Sequence, residues 1–107
     1  MRHISPLELA EWLNDPQQPS PLLLDVREPW EFELCHIEGS QAMPMNSVPA
    51  RSQELDRERE IVVICHHGGR SAQVAMFLER QGFGKVINLA GGVSEWASRV
   101  DPKMPQY

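Results

Sequence analysis

Apolar positions fall into short blocks whose period changes along the chain. Leu9, Trp12 and Leu13 recur at helical spacing. Just ahead of them, Ser5 can N-cap, Pro6 suits the first helical position and Glu8 completes a capping box. The stretch "NDPQQPSP" cannot continue that helix, because its three prolines remove backbone donors. Leu22–Val26 is a continuous apolar run carrying one acid, the pattern of a strand buried on both faces. "EPWEFEL" predicts a short helix with Pro29 near its start, "SQAMPM" a weak strand and "PARSQELDRE" a short surface helix. Ile61–Ile64 reads as a strand, since β-branched side chains suit a pleated surface. After it, Ala72, Ala75 and Leu78 share one face of a helix beginning at Ser71. Gly82 stands where a left-handed residue ends a helix, and Phe83 can then fold back on Leu78. "KVINL" is a last strand and "AGGVSEWASRV" a glycine loop leading into a final helix.

This alternation of strand and helix predicts an α/β sandwich with a mostly parallel sheet. Right-handed crossovers place helices on both faces, giving three layers. The 107 residues fit a single domain spanning 1–107, and 41% hydrophobic residues make it globular. No apolar run approaches the roughly 20 residues of a membrane span, and Met1–Ala10 lacks a signal-like apolar core. A cytoplasmic location and no membrane partner are therefore expected. A net charge of −5 without a basic block argues against nucleic acid, which needs cations on its phosphates.

Two cysteines are too few for a disulfide framework. In a reducing compartment each is an inert buried thiol, a reactive thiol or a metal ligand. Cys65 stands at a strand end, followed by His66, His67, Gly68, Gly69, Arg70 and then a helix. In an open α/β sheet, ligands bind beyond the carboxyl ends of the strands. The two glycines let the loop curl so that its N–H groups converge at a helix N-terminus, an anion cradle. A sulfur at its centre favours the thiolate. Arg70 adds a planar fork for an oxyanion, with salt-bridging to a nearby carboxylate as the alternative. The bland reading of Cys65, a small buried hydrophobe, is outweighed by the pattern Cys–x–x–Gly–x–Arg–Ser between strand and helix.

At these residues the chain resembles the rhodanese family. "CHHGGRS" (Cys65–Ser71) is similar to the family's active-site loop, "LLDVREPWEFELCHIEGS" (Leu23–Ser40) to its upstream block, and "VINLAGGVSEW" (Val86–Trp96) to its closing block. The resemblance implies a five-stranded parallel sheet flanked by helices. It implies sulfur transfer, with Cys65 taking the outer sulfur of thiosulfate or a related donor and passing it to cyanide, a thiol or a protein. Backbone N–H groups from His66 to Arg70, with Ser71 opening the helix, would hold the persulfide, and no metal or organic cofactor is needed. Asp25 is implied to be structural and Arg27 to be a rim cation or structural support, while Glu31 ties segments together. Four residues separate Cys65 from Arg70. The related phosphatases of the cell-cycle type carry one more, so the shorter loop favours sulfur transfer over phosphate hydrolysis.

Other readings carry less. His66 and His67 are expected to be exposed recognition residues, or one imidazolium helps hold an anionic donor. Cys35 stands where the family commonly has Gly; if its φ is positive, a non-Gly residue there costs on the order of 1 kcal/mol. A Cys35–Cys65 disulfide has no support from spacing, and no cysteine or histidine spacing resembles a structural zinc site. Trp12, Trp30 and Trp96 are packing residues, with Trp30 a possible wall of the pocket. The alternatives to a small-molecule sulfurtransferase are a relay carrier that delivers sulfur to a docked protein and an inactive binding module.

Overall fold

Residues 1–107 are described by a computed structural model. Five strands carry the fold: β1 (Arg2–Ile4), β2 (Leu22–Asp25), β3 (Gln41–Ala42), β4 (Ile61–Ile64) and β5 (Val86–Leu89). Between and after them run α1 (Pro6–Leu13), α2 (Pro29–Leu34), α3 (Val48–Arg51), α4 (Gly69–Arg80) and α5 (Gly92–Arg99). All neighbouring strands are parallel, in the order β1-β5-β4-β2-β3. The expected five-stranded parallel sheet with flanking helices is therefore present.

The central strand β4 is paired on both edges and buried on both faces, which is why it reads as an unbroken apolar run. Val62 and Ile64 enter one core with Leu9, Trp96 and Ala97, so α1 and α5 cover that face. Ile61, Val63 and Cys65 enter the other with Val48, Val74, Ala75 and Leu78, so α3 and α4 cover the opposite face. Each Val, Leu or Ile among them contributes roughly 1.5–3 kcal/mol on burial. No helix is long and apolar enough to cross a membrane.

Local chemistry fixes the helix ends. Ser5 Oγ accepts from the Glu8 N–H at 3.1 Å while Glu8 Oε1 accepts from the Ser5 N–H at 2.9 Å. At the end of α4, Gly82 adopts φ 95°, its N–H donates to Glu79 O, and Phe83 N–H donates to Leu78 O. That is the Schellman stop expected from the sequence.

Several boundaries differ from the sequence reading. β1 has no signature of its own: only Ile4 of its three residues is buried, too few for a period to show. "SQAMPM" contributes just two paired residues, Gln41 and Ala42. The surface helix splits into α3 and a 3-10 turn at Ser52–Glu54. Helix α4 starts at Gly69, two residues before Ser71. Cys35 is extended, with φ −164°, so no left-handed strain attends the missing glycine. It is buried in the α1/α5 core, across the sheet from Cys65, and both thiols are free.

Candidate active site

Parallel strands bring the carboxyl ends of β2, β4 and β5 to one edge, and the loop after β4 curls there into α4. The curl has identifiable causes. Gly68 takes φ 107°, a left-handed conformation that glycine adopts without strain. The carbonyls of Cys65 and His66 accept from Val93 N–H at 2.9 Å and Ser94 N–H at 3.0 Å, at the start of α5. With its carbonyls turned toward α5, the loop turns an amide toward its own sulfur: Gly68 N–H donates to Cys65 Sγ at 3.0 Å. Gly92 permits this seating, because a Cβ there would run into the Cys65 and His66 carbonyls. Gly69 lies within α4, does not have a positive φ, and has open space where a Cβ would go. The conformational freedom expected of both loop glycines is thus used at Gly68 alone.

Beneath the sulfur, the Cys65 thiol lies 3.3 Å from Ser71 Oγ, which donates in turn to Asn88 Oδ1. Asn88 Nδ2 donates to the Gly68 carbonyl at 3.4 Å, bracing the loop against β5. Asn88 went unnoticed in the sequence. Its signal was a buried amide interrupting the apolar run "VINL", since polar groups are buried only with partners. Cys65 is 1% exposed, so the resting structure differs from an open cradle.

Arg27 is not a rim cation. It is 1% exposed and grips Asp25, with Nη2 2.7 Å from Oδ2 and Nε 2.9 Å from Oδ1. Nη2 also donates to Cys35 O at 2.6 Å, and Nη1 donates to the Tyr107 hydroxyl at 2.8 Å. Burial alone favours its neutral form, but the bonds to Asp25 and Tyr107 outweigh burial and raise its pKa. A buried guanidinium needs such a set of acceptors, and Asp25 at the end of β2, Cys35 at the end of α2 and Tyr107 supply them. Asp25 is itself buried and also accepts from the Arg27 backbone N–H at 3.1 Å.

Arg70 makes the alternative contact considered for it. Nη1 donates to Glu31 Oε1 at 2.7 Å and Nη2 to Oε2 at 2.9 Å, a bidentate pair. That bond, more than any other influence, holds the Glu31 carboxyl down at about 2, with help from the Glu28 backbone and Tyr107. Glu31 ties α2, α4 and the chain's last residue together, in line with its expected linking role.

Tyr107 was missed. It stands 76 residues from Glu31 and outside any periodic element, so no local pattern marks it. Its ring stacks on His66 with centroids 3.9 Å apart and planes 8° apart, and meets Trp30 edge-on at 5.8 Å. His66 is half-buried between Tyr107 and His67 rather than exposed, while His67 is exposed. Burial, and next to it His67, lower the His66 pKa, which weakens the reading of that ring as an imidazolium for anions.

The arrangement places a sulfur at the positive end of a helix, touched by one backbone donor and a hydroxyl, with a paired guanidinium at the mouth. A family model described as "Rhodanese-like domain" matches residues 5–99. The chain belongs to the rhodanese-like domain family. This rhodanese-like chain is 40% identical over 76 residues to a sulfurtransferase of Allochromatium vinosum, covering 71% of each protein. It is 42% identical over 79 residues to the putative sulfur carrier protein YrkF of Bacillus subtilis, covering 74% of this chain and 43% of that one. Other relatives are longer, and the chain spans 26 to 35% of their length. Among solved structures, a rhodanese-related protein from Thermoplasma volcanium superposes with a TM-score of 0.84 at 30% identity, covering 94% of both chains.

Proposed function

We propose that this chain is a sulfurtransferase that carries sulfane sulfur as a persulfide on Cys65. The supporting observation is the Gly68 N–H donating to Cys65 Sγ at 3.0 Å at the N-terminus of the 12-residue α4. An amide and a helix dipole aimed at one sulfur favour an anion there, whether thiolate or persulfide. Family membership and the sulfurtransferase relative support the same chemistry.

In the first half-reaction the Cys65 thiolate attacks the outer sulfur of a donor such as thiosulfate. A bond forms between the two sulfurs, the donor's own sulfur–sulfur bond breaks, and sulfite leaves with its electron pair. In the second, a nucleophile takes the outer sulfur and Cys65 leaves as thiolate; cyanide gives thiocyanate, and a thiol gives a new persulfide. In the thiol form, Ser71 accepts from Cys65 and donates to Asn88. Once the sulfur is ionised, the hydroxyl can turn and donate to it.

Purified protein is expected to form thiocyanate from thiosulfate and cyanide, with Cys65→Ser inactive. Turnover surviving in Cys65→Ser would remove Cys65 from the mechanism. Delivery to a docked protein is the second reading, favoured by Trp30, 60% exposed and leaning on Tyr107 at the mouth, and by the sulfur-carrier relative. It predicts slow turnover with cyanide and fast persulfide transfer to an acceptor protein.

A further inference from the structure

The charged side chains around the site cancel in pairs. Arg27 is committed to Asp25, and Arg70 lays both Nη atoms on Glu31. Glu31 is held from two further sides: Glu28 N–H donates to Oε1 at 2.9 Å and the Tyr107 hydroxyl donates to Oε2 at 2.7 Å. Tyr107 itself accepts from Arg27. Asp25, Arg27, Tyr107, Glu31 and Arg70 therefore form one run of bonds from the end of β2 to the start of α4. Every guanidinium in it has a carboxylate partner. The remaining cation candidates beside the run are His66, stacked between Tyr107 and His67, and the exposed His67.

We propose that Tyr107 is a positioning residue that locks Glu31 onto Arg70, so that the site takes sulfur from a persulfide borne on a thiol in preference to a dianionic oxyanion such as thiosulfate. This rests on the reading of Cys65 as the sulfur carrier. A dianion must either displace Glu31 from Arg70, breaking two short bonds, or enter a partly buried site with no unpaired guanidinium to meet it. The chain's net charge of −5 opposes its approach as well. A thiol-borne persulfide needs no such cation. The Cys65 thiolate attacks its outer sulfur, the new sulfur–sulfur bond forms, and the donor leaves as thiolate with the electron pair of the broken bond. The proton on the outer sulfur stays with it.

Iodoacetate and iodoacetamide test the lock without any sulfur transfer. They react through the same carbon and the same leaving group and differ in charge. Their rates at Cys65 are followed by peptide mass spectrometry, which separates Cys65 from Cys35. The readout is the ratio of the iodoacetate rate to the iodoacetamide rate. Glu31→Gln and Tyr107→Phe are each expected to raise that ratio about fivefold or more over the parent. Adding Arg70→Ala to Glu31→Gln is expected to cancel the rise. A merely loosened fold speeds both reagents and leaves the ratio alone. A smaller change in both variants, or a rise that survives Arg70→Ala, overturns the lock. A shifted ratio in a protein that makes no thiocyanate from cyanide with either thiosulfate or a thiol-borne persulfide would leave the lock standing and sink the catalytic reading. An unshifted ratio in an active protein would sink the lock alone.

Discussion

Asp25 and Arg27 stand two residues apart at the end of β2, and their shared burial decides what each is for. The Asp–x–Arg spacing was readable in the sequence, but the depth of the guanidinium was not. An arginine at a strand end has the same letters whether it faces solvent or closes a core. Removing the guanidinium leaves a carboxylate buried and unpaired, so Arg27→Met is expected to cost about 3–5 kcal/mol in urea unfolding. Glu31 gives a pH signature. Its folded pKa is about 2, below the usual carboxylate range of about 4.3. A depressed folded value means stability that is present above the unfolded pKa and lost as pH falls toward the folded one. The stability gap between the parent and Glu31→Gln should therefore be full above about pH 5, on the order of 3 kcal/mol, and close toward pH 2. A gap constant over that range would show that the ion pair does not stabilise the fold.

Among the elements, those with a strong period were legible: α1 by its capping box, α4 by its apolar face and Schellman stop, and β4 by its β-branched run. β1 escaped because three residues cannot display a period, and β3 showed only as a weak strand in "SQAMPM"; partners elsewhere in the sheet define both. The loop between β4 and α4 was legible as a motif but not as a geometry. Its shape depends on α5, whose first N–H groups take the carbonyls of Cys65 and His66. Gly92→Ala should therefore destabilise the protein by roughly 2 kcal/mol or more and slow alkylation of Cys65, because a Cβ would push the loop off α5. Gly69→Ala is the contrasting substitution. With open space and helical backbone, it should be neutral or stabilise by about 0.4–1 kcal/mol. Equal losses in the two variants would contradict this division of roles between the glycines.

At the scale of the whole molecule, the parallel sheet gathers strand ends from distant parts of the sequence, and the last residue closes over them. Tyr107 could not be found by pattern, since its meaning comes from Arg27, Glu31 and His66 on three other segments. What the sequence did carry was the site's centre: a cysteine at the end of the middle strand, a glycine that turns the loop, and a helix that starts behind it. The central claim is that this sulfur holds a second one. The most direct measurement is the intact mass and peptide map of the protein after incubation with a sulfane-sulfur donor and removal of excess reagent. The account predicts a gain of about 32 Da, one sulfur atom, on the Cys65 peptide, reversed by cyanide and absent in Cys65→Ser. An unmodified Cys65 in folded protein, under donors of both charge classes, would contradict it.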